Sequence, residues 1–255
     1  MFYIHINNKF YFFDIVPLST SYVRNYTRGS DPPEYWDWRD HNGVSPVRDE
    51  EACAACWAFS IVACVESQIA IKFGKRIRLS EQFLIDCAPG SNGCAPTKIF
   101  ETLGLIVTQL RGILPESAYY PYAKRQLACR WNGKPEPQPV TGFQKIYGDE
   151  QAIMKAIWNY GPVIAIINSA SMKKYPSGNP IIDEPHENQC NPKDTDHSVL
   201  IVGYNTAVSP NGGKVPYWII KNSWGEDFGD KGFYYLVRGR NACGIESLVA
   251  VAFAN

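Results

Sequence analysis

From Cys56 to Phe73 the chain reads Cys-Trp-Ala-Phe-Ser-Ile-Val-Ala-Cys-Val-Glu-Ser-Gln-Ile-Ala-Ile-Lys-Phe, with no Gly or Pro until Gly74. Wound at about 3.6 residues per turn, this run puts apolar side chains on nearly every face, so it predicts a buried helix of about five turns. Such a helix has to be wrapped on all sides. A chain of 255 residues with 45% apolar and 13% aromatic content has the material to do so, as one large domain or as two lobes sharing a cleft.

Around that helix the period of the sequence changes. Leu79-Ser-Glu-Gln-Phe-Leu-Ile-Asp-Cys87 predicts a short helix capped by Ser80, with Glu81 and Gln82 in the first turn where the helix dipole favours acid. A Pro/Gly/Asn loop follows, then a helix from Pro96 to about Gln109 and a Pro- and Tyr-rich irregular stretch through Pro139. Asp149 to Tyr160 is helical in pattern. After it, Pro162 to Asn168, Ser198 to Tyr204, Tyr217 to Lys221 and Phe233 to Arg238 are short β-branched or aromatic runs between turn signals, which predict strands. The expected class is α+β, a helical first lobe and a strand-rich second one. Asp31-Pro-Pro-Glu-Tyr-Trp-Asp-Trp-Arg39 starts the folded body, and residues 1–30 differ in character as an N-terminal extension.

Charge excludes some partners. Lys plus Arg and Asp plus Glu both total 25, so no strong field draws the chain to nucleic acid or to an anionic membrane. No apolar run approaches the roughly 20 residues of a membrane span, and a soluble protein is expected. Met1 to Leu18 is apolar in patches but is broken by Asn7, Asn8, Lys9 and Asp14, which predicts a remnant or packing segment instead of a signal peptide. Eight cysteines nevertheless point to an oxidising compartment. The glycosylation triplet Asn25-Tyr-Thr27 matters only on a secretory route.

Three segments carry chemistry. Cys56 stands where the apolar helix starts, and a cysteine becomes a nucleophile when a helix N-terminus or an imidazolium favours its thiolate. His197, in Thr195-Asp-His-Ser-Val-Leu-Ile-Val-Gly-Tyr204, sits at the mouth of an apolar strand, and Asn222, in Ile219-Ile-Lys-Asn-Ser-Trp-Gly225, has the same setting. An amide there can hold an imidazole in one orientation while Trp224 shields the bond from water. Each residue alone has a plain structural reading, a buried thiol or a strand-end polar group. Cys53-Ala-Ala-Cys56 also has the spacing of a redox pair, and with Cys87 and Cys94 that of a zinc site.

The segments Trp36-Asp-Trp-Arg39, Cys53 to Ser60, Leu79 to Cys87, Asp196 to Tyr204, Tyr217 to Gly232 and Cys243-Gly-Ile245 together resemble the papain-like cysteine proteases. The likeness is to the cathepsin L type more than the cathepsin B type, over residues 31–255. It implies a two-lobe α+β fold, with a mainly helical left lobe at about 41–145, an antiparallel barrel-like right lobe at about 146–255, and an active-site cleft between them. It implies a cysteine endopeptidase in which Cys56 is nucleophile, His197 general base and then acid, and Asn222 the orienting residue. Substrate-binding positions fall on Thr97, Trp224 and, around the second pocket, Ile166, Ser198 and Leu248, which suits an apolar or aromatic side chain. By position, the disulfides are Cys53 with Cys94, Cys87 with Cys129, and Cys190 with Cys243, leaving Cys64 as a buried inert thiol. The resemblance calls for no cofactor and no metal. Its partners are peptide or protein substrates and cystatin-type inhibitors, it expects a monomer, and its compartment is lysosomal or extracellular.

The sequence departs from the family pattern beside the nucleophile. Relatives carry Gln-Gly-x-Cys-Gly-Ser-Cys-Trp, whereas this chain has Glu50-Glu-Ala-Cys-Ala-Ala-Cys-Trp57. Glu50 thus holds the oxyanion-hole position, where an ionised carboxylate donates nothing and repels the developing charge. Losing one such donor costs about 10²- to 10³-fold in turnover. A desolvated or acidic site would let Glu50 donate as the acid; a rebuilt loop would turn it to solvent. Ala95-Pro-Thr97 replaces an Asn-Gly-Gly stretch, so a branched Thr stands where a glycine lets the substrate backbone approach. About 30 residues before Asp31 cannot form the family's helical pro-domain, and Asn205 to Pro216 predicts a lengthened surface hairpin. A peptidase is therefore expected, with a weakened or inactive homologue that binds peptides or inhibitors as the alternative.

Overall fold

The computed structural model describes residues 3–6, 9–12, 31–178, 181–208 and 212–255. The chain divides into two compact units, residues 1–30 and 31–255. In the first, strands β1 (Tyr3–Ile6) and β2 (Lys9–Phe12) pair antiparallel. The remainder of the N-terminal extension, with the Asn25 triplet, lies outside the described residues.

The second unit carries β3 (Trp36–Asp37), α1 (Cys56–Phe73), α2 (Glu81–Cys87), α3 (Ile99–Leu105), β4 (Gly112–Ile113), β5 (Gln138–Ile146), α4 (Glu150–Tyr160), β6 (Val163–Ile167), β7 (His197–Val208), β8 (Lys214–Lys221), β9 (Phe233–Val237) and β10 (Val249–Ala254). Helices α1 to α3 precede one antiparallel sheet of order β4-β5-β10-β6-β7-β8-β9, with β3 paired to β7. The α+β class expected from the sequence is the one observed. Every residue of α1 from Trp57 to Ile69 is buried, and Gly74 ends the helix at φ 65°, its N–H donating to Ala70 O. That conformation is cheap only without a Cβ.

One expectation needs correction. By length and composition α1 does qualify as a membrane-crossing helix, but 72% of that segment is buried inside the protein, where it serves as the core. The predicted cap forms, with Ser80 Oγ accepting from Phe83 N at 3.0 Å; a second, not singled out from the sequence, is Asp149 Oδ1, which accepts from Gln151 N and Ala152 N at the start of α4. The third helix begins later than predicted, at Ile99, and widens into a π turn over Ile106–Leu110 that stops at left-handed Arg111. The sequence patterns do not predict strands β5 and β10. All of β10 except half-buried Phe253 is buried between β5 and β6, so its apolar run shows no alternation; β5 is mostly half-exposed and follows a Pro-rich stretch. The hairpin of β7 and β8 is extended as expected, with Val208 opposite Lys214.

Charges are buried beside α1. Arg48 Nη2 lies 2.7 Å from Glu66 Oε1 of α1, and Nη1 contacts the Glu81 carboxylate of α2 and donates to Leu79 O at 2.9 Å. Buried Lys221 at the end of β8 donates to Ser45 Oγ at 3.0 Å, and burial pushes its amine down to about 8. Removing one partner of such a cluster leaves uncompensated charge. Arg48→Ala is therefore expected to destabilise the fold by about 3–5 kcal/mol, read as a lower urea midpoint with an unchanged slope; a loss under about 1 kcal/mol would mean that the cluster is solvated.

Candidate active site

The segment Arg48 to Ala55, which feeds α1, is tied to both halves of the fold. Glu50 N donates to Ser223 O at 2.8 Å, Gly225 N to Arg48 O at 3.1 Å, and Tyr122 Oη to Glu50 O at 2.6 Å. Glu51 is held at φ 47°, with its carboxylate on Lys124. Cys53 is bonded to Cys94, which fixes the last turn before Cys56.

His197 opens β7 and Asn222 follows β8, so the antiparallel pairing of those strands brings the two together. His197 Nε2 lies 2.8 Å from Asn222 Oδ1, and both residues are buried. An amide oxygen only accepts, so Nε2 carries the proton and, in the neutral ring, Nδ1 keeps its lone pair. The Trp224 ring tilts over the imidazole at 4.8 Å, the shield expected from the sequence, and is met edge-on by Phe228, which the sequence did not flag. Asp196, next in chain, is spent on Ser169 N at 2.7 Å and Ser169 Oγ at 2.9 Å.

Cys56 borders this pair, since the backbone N–H of Ser198, the neighbour of His197, acts on the thiol. Burial pushes the Cys56 thiol up to about 12, with the Glu50 carboxylate adding to the rise and the Ser198 and Trp57 N–H groups opposing it. Burial likewise lowers the pKa of His197, against the Asn222 bond and Asp196. Each group alone prefers to be neutral; a thiolate forms here only together with an imidazolium and at the helix N-terminus.

Glu50 does not face solvent, which overturns the rebuilt-loop reading. It is 5% exposed, because two donors capture it: Trp224 Nε1 at 2.9 Å and Ser223 Oγ at 3.3 Å both bond Oε1. Oε2 is buried with no hydrogen-bond partner. Burial pushes the Glu50 carboxyl up to about 7, with Asp49 adding to the rise, against those two bonds and the backbone N–H of Ala55.

The other positions divide. Ile166 stands opposite Ser198, and its N–H donates to Leu248 O at 3.1 Å, so these three are neighbours. Leu248 is exposed; Ser198 is buried, its hydroxyl 2.7 Å from Ser60 Oγ of α1. Thr97 keeps its hydrogen bonds within its own loop, to Ala95 O and Asn92 N. Disulfides join Cys53–Cys94, Cys87–Cys129 and Cys190–Cys243, which leaves neither a Cys53–Cys56 redox pair nor free thiolates at Cys87 and Cys94 for zinc. Cys64 is fully buried, donating to Pro162 O at 3.4 Å.

Residues 32–253 match the family model "Papain family cysteine protease". The chain belongs to the papain family of cysteine proteases. It is 35% identical over 228 residues to procathepsin L of Rattus norvegicus, covering 88% of this chain and 66% of the relative. It is 34% identical to cathepsin F of Drosophila melanogaster, over 86% of this chain and 35% of the relative. Against these two it thus spans between about one third and two thirds of their length. Among solved structures it is similar to bromelain from Ananas comosus in complex with the E64 inhibitor, with a TM-score of 0.75, 31% identity, 88% of this chain and 100% of that one. Procathepsin L 3 of the Tenebrio molitor larval midgut gives a TM-score of 0.76 at 34% identity, over 91% and 72%.

This papain-family chain holds two free thiols of different exposure, half-buried Cys56 at the site and Cys64 buried within α1. Native alkylation followed by mass spectrometry should modify Cys56 alone, and Cys64 only after denaturation. Modification of both at similar rates, or a Cys53–Cys56 bridge, would contradict the site as described.

Proposed function

We propose that this chain is a cysteine endopeptidase working through Cys56, His197 and Asn222. The observation that carries this is the bond from His197 Nε2 to Asn222 Oδ1, which leaves the Nδ1 lone pair for a proton from the neighbouring thiol. In the proposed reaction Nδ1 takes the Cys56 proton as sulfur attacks the scissile carbonyl carbon, and the oxygen becomes an oxyanion at the Cys56 N–H. The carbon–nitrogen bond then breaks, the leaving amine takes the proton from His197, and a thioester remains. Water, deprotonated by His197, hydrolyses that thioester. Proton transfer by a positioned imidazole contributes about 10²- to 10⁴-fold to such a step.

Exposed Leu248 beside half-buried Ile166 supports an apolar or aromatic preference at the second substrate pocket. Thr97 supports weaker pairing of an extended substrate, because a branched Cβ keeps the backbone at a distance. Three disulfides favour an oxidising compartment, lysosomal or extracellular. Peptide or protein substrates and cystatin-type inhibitors are the partners that suit such a cleft. The second reading, a binding homologue with little turnover, draws on Glu50, which as a carboxylate costs the site an oxyanion donor.

An irreversible thiol-protease probe separates the two. Labelling should occur between about pH 4 and 7 and vanish in Cys56→Ala, with hydrolysis of Phe-Arg-type peptides lost in parallel. No Cys56-dependent labelling across that range sinks the peptidase reading. Thr97→Gly should raise kcat/KM by about tenfold, the worth of one recovered backbone hydrogen bond at roughly 1.4 kcal/mol.

A further inference from the structure

Glu50 Oε2 is buried and unpartnered, while Oε1 of the same carboxyl accepts from Trp224 and Ser223. An orphaned anionic oxygen in a dry site is costly; an orphaned O–H waiting for an acceptor that arrives with substrate is far less so. His197 Nδ1 lies 4.0 Å from Oε1. That separation is beyond hydrogen-bond length, so a Glu50 carboxylate paired with a His197 imidazolium would bear two desolvation costs without the bond that offsets them. With the same number of protons, the arrangement of neutral acid and neutral imidazole is the better one.

We propose that Glu50 acts as a neutral carboxylic acid and is itself catalytic, its Oε2–H donating to the oxyanion beside the Cys56 N–H while His197 Nδ1 stays free for the thiol proton. This rests on the peptidase reading. Glu50 keeps its proton throughout: the proton that moves goes from Cys56 to His197 and on to the leaving amine. Oε2–H lends a hydrogen bond as the carbonyl π pair localises on oxygen, and withdraws it when the carbonyl reforms. An acid near its own pKa is a stronger donor than an amide, so the exchange of Gln for Glu moves the working range of the site instead of abolishing it.

The groups around Glu50 act in both directions, and burial outweighs those that favour the carboxylate. Asp49 on its own loop raises its pKa, and Glu51 is paired with Lys124. Burial raises the pKa of Cys56 on α1, Tyr122 donates to the Glu50 backbone, and Asp196 beside His197 on β7 is held by Ser169 and Lys173. After β8, Ser223 and Trp224 donate to Oε1, and both oppose the rise, as does the backbone N–H of Ala55 just before α1. The Glu50 pKa is raised, to about 7, so the neutral donor is present below that pH and lost as pH climbs through it. Above it the carboxylate repels the oxyanion and attracts the imidazole proton.

The test compares wild type with Glu50→Gln. On a Phe-Arg-type peptide, wild-type kcat/KM should fall about tenfold per pH unit above the Glu50 pKa, whereas Glu50→Gln should hold its rate into alkaline pH and exceed wild type there by about 10²-fold or more. Superimposable profiles overturn the proposal. Difference infrared spectroscopy decides the proton whether or not the chain turns peptide over: a protonated-carboxyl band at pH 5 that is absent in Glu50→Gln supports it, and no such band overturns it. A chain with the band but no Cys56-dependent turnover in either form has its proton as proposed and lacks the catalytic role, which overturns the donor claim and the peptidase reading together. Should Glu50→Gln fold poorly, Trp224→Phe removes a bond that favours the carboxylate, and the alkaline limb should move to higher pH; an unmoved or lowered limb counts against the proposal.

Discussion

A helix that is apolar on every face can exist in water only if protein covers all of it, and α1 is covered by α2 on one side and by β6, β7 and β10 on the other. Because its first residue is Cys56, the same enclosure delivers a thiol to the place where helices and sheet meet. His197 and Asn222 arrive there for a related reason, since His197 opens β7, which packs on α1, and Asn222 follows β8, which pairs with β7. Burying the helix and assembling the site are thus one act of folding.

Enclosure also sets the electrostatics. Taken out of water, the Cys56 thiol and the Glu50 carboxyl both move up and the His197 imidazole moves down, so the resting floor favours neutral groups. In the proposed reaction charge develops chiefly on the way to the tetrahedral intermediate, where the helix N-terminus, the backbone N–H of Cys56 and the proposed donor on Oε2 would meet it. Deeper in, Arg48 has both Glu66 and Glu81 within bonding distance.

Much of this was legible in the sequence because the signals are local. An unbroken apolar run, a Ser three residues ahead of a buried Phe, and a Gly just past the last helical residue each state their structure directly. The Cys56, His197 and Asn222 segments were legible through resemblance, and so were the disulfide partners. Where the signal depended on tertiary surroundings it failed: β10 hides its period because both faces are buried, and Ser198 pairs with Ser60, 138 residues away in the chain. Glu50 is the sharpest instance. Its identity showed that something had changed, but whether it faced solvent or the site depended on Trp224 and Ser223, which reach it across 174 and 173 residues.

The central claim is the position of one proton, and neutron diffraction from deuterated crystals grown near pH 6 locates it most directly. The account predicts nuclear density for a deuteron on Glu50 Oε2 and on His197 Nε2, with none on His197 Nδ1. Density on Nδ1 together with a bare Glu50 carboxylate would contradict it.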